Sequence, residues 1–161
     1  MLHRVRSRKR RAKIPEPIGN PVLGTWEGTG GGDPGQGKGS FTFAQDLQGA
    51  ALTRHNFAEY PATKDKPAFR HDDVMIIYRD TENHTRAEYW DSEGHVIRYE
   101  VTVSPEELVF LSDPNQPGPR YRLTYTKADA NTVSIAFDIA PPNDPTAFKT
   151  YIQASAKRKA S

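Results

Sequence analysis

The 161-residue sequence contains no cysteine. That excludes disulfides, thiolate nucleophiles and zinc–thiolate sites, and it suits a reducing compartment. Long hydrophobic runs are absent too. No window approaches the roughly 18 apolar residues of a membrane helix, and the arginines near the N-terminus lack the apolar stretch of a secretion signal. A soluble, cytoplasmic protein is therefore expected. After the first strand no stretch places apolar residues at i, i+3, i+4 and i+7, which leaves little for helices to do. No G-x-S-x-G elbow or H-E-x-x-H pair occurs, so no catalytic or metal site is expected from motifs of that kind.

Acidic residues are missing from one region only. Residues 1–13 hold Arg4, Arg6, Arg8, Lys9, Arg10, Arg11 and Lys13 and no acid, so the chain's net +2 leaves −5 on the remainder. Like charges with little apolar surface do not fold, and residues 1–17 are expected to form a disordered basic arm ahead of one domain, 18–161. The arm reads as a solvated tail, a tether to nucleic acid or anionic membrane, or a targeting segment. The anionic body argues against nucleic acid as a partner of the domain itself, because such surfaces cluster Lys and Arg.

From Val22 onward the chain alternates short runs of Val, Ile, Tyr, Phe and Thr with Gly, Pro, Asn and Asp clusters. This spacing predicts an all-β domain of about ten strands, near 22–30, 39–47, 50–60, 72–80, 85–91, 95–103, 107–112, 119–127, 132–140 and 147–158. Asp80-Thr81-Glu82-Asn83 and Asp91-Ser92-Glu93-Gly94 supply tight-turn chemistry, and Ile14 to Pro21 is a candidate short cap for one end. Alternation assigns faces. Ile97, Tyr99, Val101 and Val103 form one apolar set and Arg98, Glu100 and Thr102 the opposite one, the pattern of a barrel wall wet on its outer side. A single antiparallel up-and-down β-barrel follows.

The run Leu23-Gly24-Thr25-Trp26 resembles the G-x-W opening of lipocalins and other calycins, and in particular a bacterial lipocalin-like family whose members generally lack an assigned activity. That resemblance implies that Gly24 bends the chain, that Trp26 plugs the closed end, and that a basic residue of the last strand crosses the indole. Arg158 is the candidate, with Lys157 the alternative one register away. The glycines at 24, 28, 30 and 32 also resemble the opening of nitrobindin-type haem barrels. Those use a late histidine, whereas the last histidine here is His95, leaving Tyr151 as the available iron ligand.

The interior carries the functional expectation. Alternation places His55 inward with Thr53 and Phe57, followed by Tyr78, Tyr89, Tyr99 and Tyr125, a polar set suited to a mostly apolar ligand with one or two polar atoms. His71 and Asp73 share a strand face, but two ligands do not make a metal site, and a charged strand entrance is the plainer reading. Gly32 to Lys38 matches G-x-x-x-x-G-K, yet Gly39 follows where a P-loop has Ser or Thr, and a glycine-rich rim hairpin is expected. Arg86, Glu88, Arg98, Glu100 and Arg122 read as outward charge pairs. An inverted register would instead turn Arg98 and Arg122 inward, as in fatty-acid-binding barrels. Together these readings give a non-enzymatic barrel for a small hydrophobic molecule, without a cofactor. A haem barrel and a ligand-free scaffold are the alternatives.

Overall fold

The computed structural model describes residues 22–160; the basic arm and the suggested cap at 14–21 lie outside them. Ten strands form one closed antiparallel barrel: β1 (Gly24–Gly32), β2 (Gly37–Asp46), β3 (Ala51–Tyr60), β4 (Phe69–Arg79), β5 (Thr85–Asp91), β6 (Val96–Val103), β7 (Glu107–Ser112), β8 (Arg120–Asp129), β9 (Thr132–Ala140) and β10 (Lys149–Arg158). Each strand pairs with its neighbour in the chain, and β10 returns to β1 with Trp26 opposite Arg158. Closure leaves no free sheet edge. A 3-10 turn, Leu47–Gly49, links β2 to β3, and the described residues include no helix long and apolar enough to cross a membrane.

Turn chemistry aligns the β4–β5 and β5–β6 hairpins in the same way. Asp80 accepts from the backbone N–H groups of Glu82 and His84, and Asp91 accepts from those of Glu93 and His95, all at 2.9 Å. A short carboxylate that satisfies two turn amides sets the register of the strands it joins.

One end of the barrel is shut by packing. Trp26 is fully buried, its Nε1 donates to the Val22 carbonyl at 2.9 Å, and its ring stacks on Phe41 at 6.2 Å. The Arg158 guanidinium lies 4.2 Å from the Trp26 ring and donates to the Leu23 carbonyl, so Arg158 rather than Lys157 covers the indole. Gly24 adopts a φ of +103°, a conformation that a side chain would strain. Phe43, Leu52, Met75, Ile77 and Phe110, none more than 1% exposed, fill the same half. Burying such side chains contributes about 1.5–3 kcal/mol each.

Toward the other end the same inward positions shrink. On β1, Trp26 gives way to Gly28 and Gly30; on β2, Phe41 gives way to Gly39 and Gly37; β10 offers Ala156 and Ala154. A Cβ on Gly28 would lie 2.7 Å from the Ser155 carbonyl oxygen and 3.0 Å from the Ala156 Cβ, so β10 crosses β1 too closely for any larger residue there. Glycine kinks of this kind let a sheet curl into a small barrel. The glycine run that suggested haem and a P-loop lines the curled wall and the β1–β2 hairpin, and β2 rather than a helix follows it.

Candidate functional site

The interior is filled at the Trp26 end and open at the other, where a cavity of about 440 Å³ lies inside the strands. Its volume falls in the range of small-molecule pockets. Two unlike walls face each other across it. Gly28, Gly30, Leu123, Ile135, Ile152 and Ala154, from β1 and β8–β10, make an apolar wall; Arg54, Asn56, His71, Asp73, Tyr89 and Asp91, from β3–β5, make a polar one.

The polar wall is a single connected network. Arg54, 4% exposed, forms an ion pair with Asp73 and donates through a second guanidinium nitrogen to the Tyr125 hydroxyl at 2.7 Å. Asn56 Nδ2 donates to Asp73 Oδ2 at 2.7 Å, and His71 Nε2 lies 3.2 Å from that oxygen and 3.0 Å from the Tyr89 hydroxyl. His71 Nδ1 reaches Glu93 at 2.7 Å. Tyr89 donates to Asp91 Oδ2 at 3.1 Å, and the same oxygen lies 2.8 Å from His95 Nδ1. Hydrogen bonds therefore run from Glu93 and His95 at the rim to Tyr125 at the cavity floor.

The electrostatics follow from this arrangement. The hydrogen bond to Asp73 raises the His71 pKa from 6.5 to about 9; burial opposes the shift and Glu93 adds to it, so the imidazole is cationic at neutral pH. Burial disfavours an ionised Asp73, yet the charge of Arg54 and the bonds from His71, Arg54 and Asn56 outweigh it and hold the carboxyl below its ordinary value. For Arg54 too burial works against the charge, and Asp73 overcomes it. Burial, with Asp73 adding to it, pushes the Tyr89 phenol far up, and it stays protonated. A buried pair of this sort costs several kcal/mol to desolvate per ion, and its remaining lone pairs and protons are bonded except at Arg54 Nε.

Of the five tyrosine and histidine positions expected to face inward, the structure brings three together. Tyr89, Tyr99 and Tyr125 are buried and line the cavity. Tyr99 and Tyr125 each pack edge-on against Phe110, at 5.9 and 6.3 Å. His55 and Tyr78 are corrections. His55 is exposed on the outer face, and Tyr78 points outward to Glu88, 3.4 Å away. On β3 the inward set is Leu52, Arg54, Asn56 and Ala58, because a buried ion pair reverses the rule that charge faces water. On β4 the run Val74-Met75-Ile76-Ile77 is apolar on both faces, and Met75 and Ile77, both 0% exposed, took the inside.

His71 and Asp73, set aside as a strand entrance, lie on that same inward face and belong to the network. Sequence reasoning missed Arg54, Asn56 and Asp91. The available signal was the interruption of β3 by a lone arginine two residues from an asparagine, opposite a strand carrying Asp73. Arg98 and Arg122 face out, 57% and 41% exposed, paired with Asp113 at 3.6 Å and Asp138 at 2.9 Å, so the inverted register and its carboxylate clamp do not occur. Tyr151 does reach the mouth. Burial and the negative charges of Asp33 and Glu93 raise its pKa, which disfavours the phenolate an iron ligand needs. Among the described residues no group of three or more His, Asp or Glu side chains is placed to hold a metal.

Aromatic rings frame the opening. Tyr121 and Phe137 stack at 5.9 Å and 8°, Tyr151 meets Phe137 edge-on at 6.3 Å, and Tyr60 stacks with Phe69 at 6.0 Å.

No family model matches the chain, and no curated protein matches it. Solved structures similar to it include a de novo designed fluorescence-activating β-barrel, 13% identical, covering 85% of this chain and 93% of that one with a TM-score of 0.43. Another is EF1p2_mFAP2b bound to DFHBI, 14% identical, covering 86% of this chain and 94% of that one, with a TM-score of 0.39. Likeness of this degree carries no argument about function. The cavity has to carry it.

Proposed function

We propose that the chain is a non-enzymatic binding barrel whose open end takes a small, mostly hydrophobic molecule. The observation that supports this is the division of one interior into a packed half and a hollow half. The hollow half is apolar on one wall and carries a connected polar network on the other. Filling it with water alone would leave the apolar wall hydrated, whereas a ligand removes that surface from water at about 25 cal/mol per Å². Binding suits the geometry better than catalysis. Both His71 nitrogens are engaged with carboxylates, and the Tyr89 proton is held by Asp91, so neither is free to exchange protons with a guest.

Native mass spectrometry of the full chain incubated with a panel of apolar metabolites tests the reading. One retained molecule per barrel is expected. Absence of any uptake, with the barrel folded, would remove it.

A further inference from the structure

The polar wall constrains which molecules suit the cavity, given that it is a binding site as proposed above. Three features of the floor and lining matter. First, the charges are paired within the network. Arg54 and His71 are bonded to Asp73 and Glu93, and Asp91 to Tyr89 and His95, so an incoming ion meets no unpaired opposite charge. An incoming carboxylate would have to compete with Asp73 for a guanidinium already paired, and one buried carboxylate beside another is costly.

Second, the floor has donors left over. Arg54 Nε is enclosed and has no hydrogen-bond partner, while the Tyr125 hydroxyl oxygen accepts from Arg54 and so keeps its own proton to donate. Nε is shut off from the cavity, so it is the Tyr125 proton that an acceptor brought to the floor would meet, and a buried donor left without a partner costs about 1–3 kcal/mol. Both side chains line the cavity, and Tyr99 stands beside them. The oxygens of the two inner carboxylates are taken: those of Asp73 accept from Arg54, Asn56 and His71, and those of Asp91 from Tyr89, His95 and the Glu93 backbone.

Third, size and shape are limited. A space of about 440 Å³ is that of a small-molecule pocket, with room for a two-ring guest. The rings of Tyr60, Phe69, Tyr121, Phe137 and Tyr151 around the mouth offer flat faces and edges that favour another aromatic ring.

We infer that the cavity selects an uncharged, planar aromatic molecule bearing a hydrogen-bond acceptor such as a carbonyl, inserted acceptor first toward Arg54 and Tyr125, with its ring between the apolar wall and the aromatic mouth. A site built around unsatisfied donors discriminates against the analogue lacking the acceptor, because binding that analogue leaves the donors buried and unpaired.

Three molecules of nearly equal shape separate the possibilities: 2-acetylnaphthalene, 2-isopropenylnaphthalene, in which CH2 replaces the carbonyl oxygen, and 2-naphthoate. Each is titrated calorimetrically into the full chain. The ketone is expected to bind at least about tenfold more tightly than either of the others, the ratio that one well-made hydrogen bond supplies. In Tyr125→Phe, whose ring still fills the aromatic core, the ketone's advantage over the alkene should shrink severalfold. Equal affinity of ketone and alkene for the unmodified chain overturns the acceptor assignment while leaving the binding barrel intact. Tighter binding of the naphthoate overturns the neutral-guest assignment in the same way. Binding of none of the three up to its solubility limit, with folded protein, removes this inference, and failure of the metabolite panel as well removes the binding reading.

Discussion

The two ends of this barrel are built from the same ten strands and obey opposite rules. At the Trp26 end the inward positions are apolar and mostly large, and aromatic rings meet at 5.4 to 6.3 Å around Phe41, Phe43, Phe110 and Tyr125. Past that layer the inward positions of β1 and β2 are glycine and β10 offers Ala154 and Ile152, while β3–β5 carry Arg54, Asn56, His71, Asp73, Tyr89 and Asp91. The packed end holds the barrel closed, and the stability it contributes offsets the cost of leaving the other end hollow and of burying Arg54 with Asp73. A cavity and a buried ion pair are both destabilising taken alone. Stability and binding are thus carried by different halves of each strand.

This division can be broken by measurement, and the largest effect is expected at the plug. Trp26→Ala should cost about 4 kcal/mol in urea unfolding, since it empties a site with no room to collapse and strands Arg158 over a void. A cost below that of a typical surface change would show that the Trp26 end does not hold the barrel closed.

An intermediate effect is expected from His71 on the polar wall. Its folded pKa of about 9 exceeds the unfolded value of 6.5, so its contribution is complete below pH 6.5 and is lost as pH rises through 9. Allowing for its partial exposure, stability should fall by about 2 kcal/mol across that interval, and His71→Gln should flatten the profile. A profile that stays level in the unmodified chain would mean that the network does not hold the imidazolium.

The smallest stability effect is expected at the open end. Ala58→Leu adds volume where space is free, so it should change the unfolding free energy by less than about 1 kcal/mol while weakening 2-acetylnaphthalene binding at least tenfold. If it destabilised the barrel as much as Trp26→Ala, the two ends would not differ in the way proposed.

How much was legible beforehand varies with the strand. On β6 every other residue is polar, and on β8 and β9 apolar residues likewise alternate with smaller or polar ones; their inward sets, including Tyr99 and Tyr125, follow directly from a period of two. On β3 and β4 the alternation misleads, and His55 and Tyr78 were turned the wrong way for that reason. The cavity itself was visible as Trp26-x-Gly28-x-Gly30 and Gly37-x-Gly39-x-Phe41, two inward series in which side-chain volume vanishes toward one end. Read one strand at a time they look like flexible glycine; their meaning appears only when Gly28 is set opposite Gly39 and Ala156.

By itself the sequence determined that strands of this length, cut by Gly, Pro and Asp turns, pair in order into an antiparallel barrel, because turn chemistry and alternation act over a few residues; the structure chose Arg158 over Lys157 to cover Trp26. Tertiary structure alone decided that Arg54, Asp73 and His71 face inward. A buried charge is tolerable only when its partners arrive from other strands, and Asp73 and Tyr125 lie 19 and 71 residues from Arg54. No local pattern records that meeting.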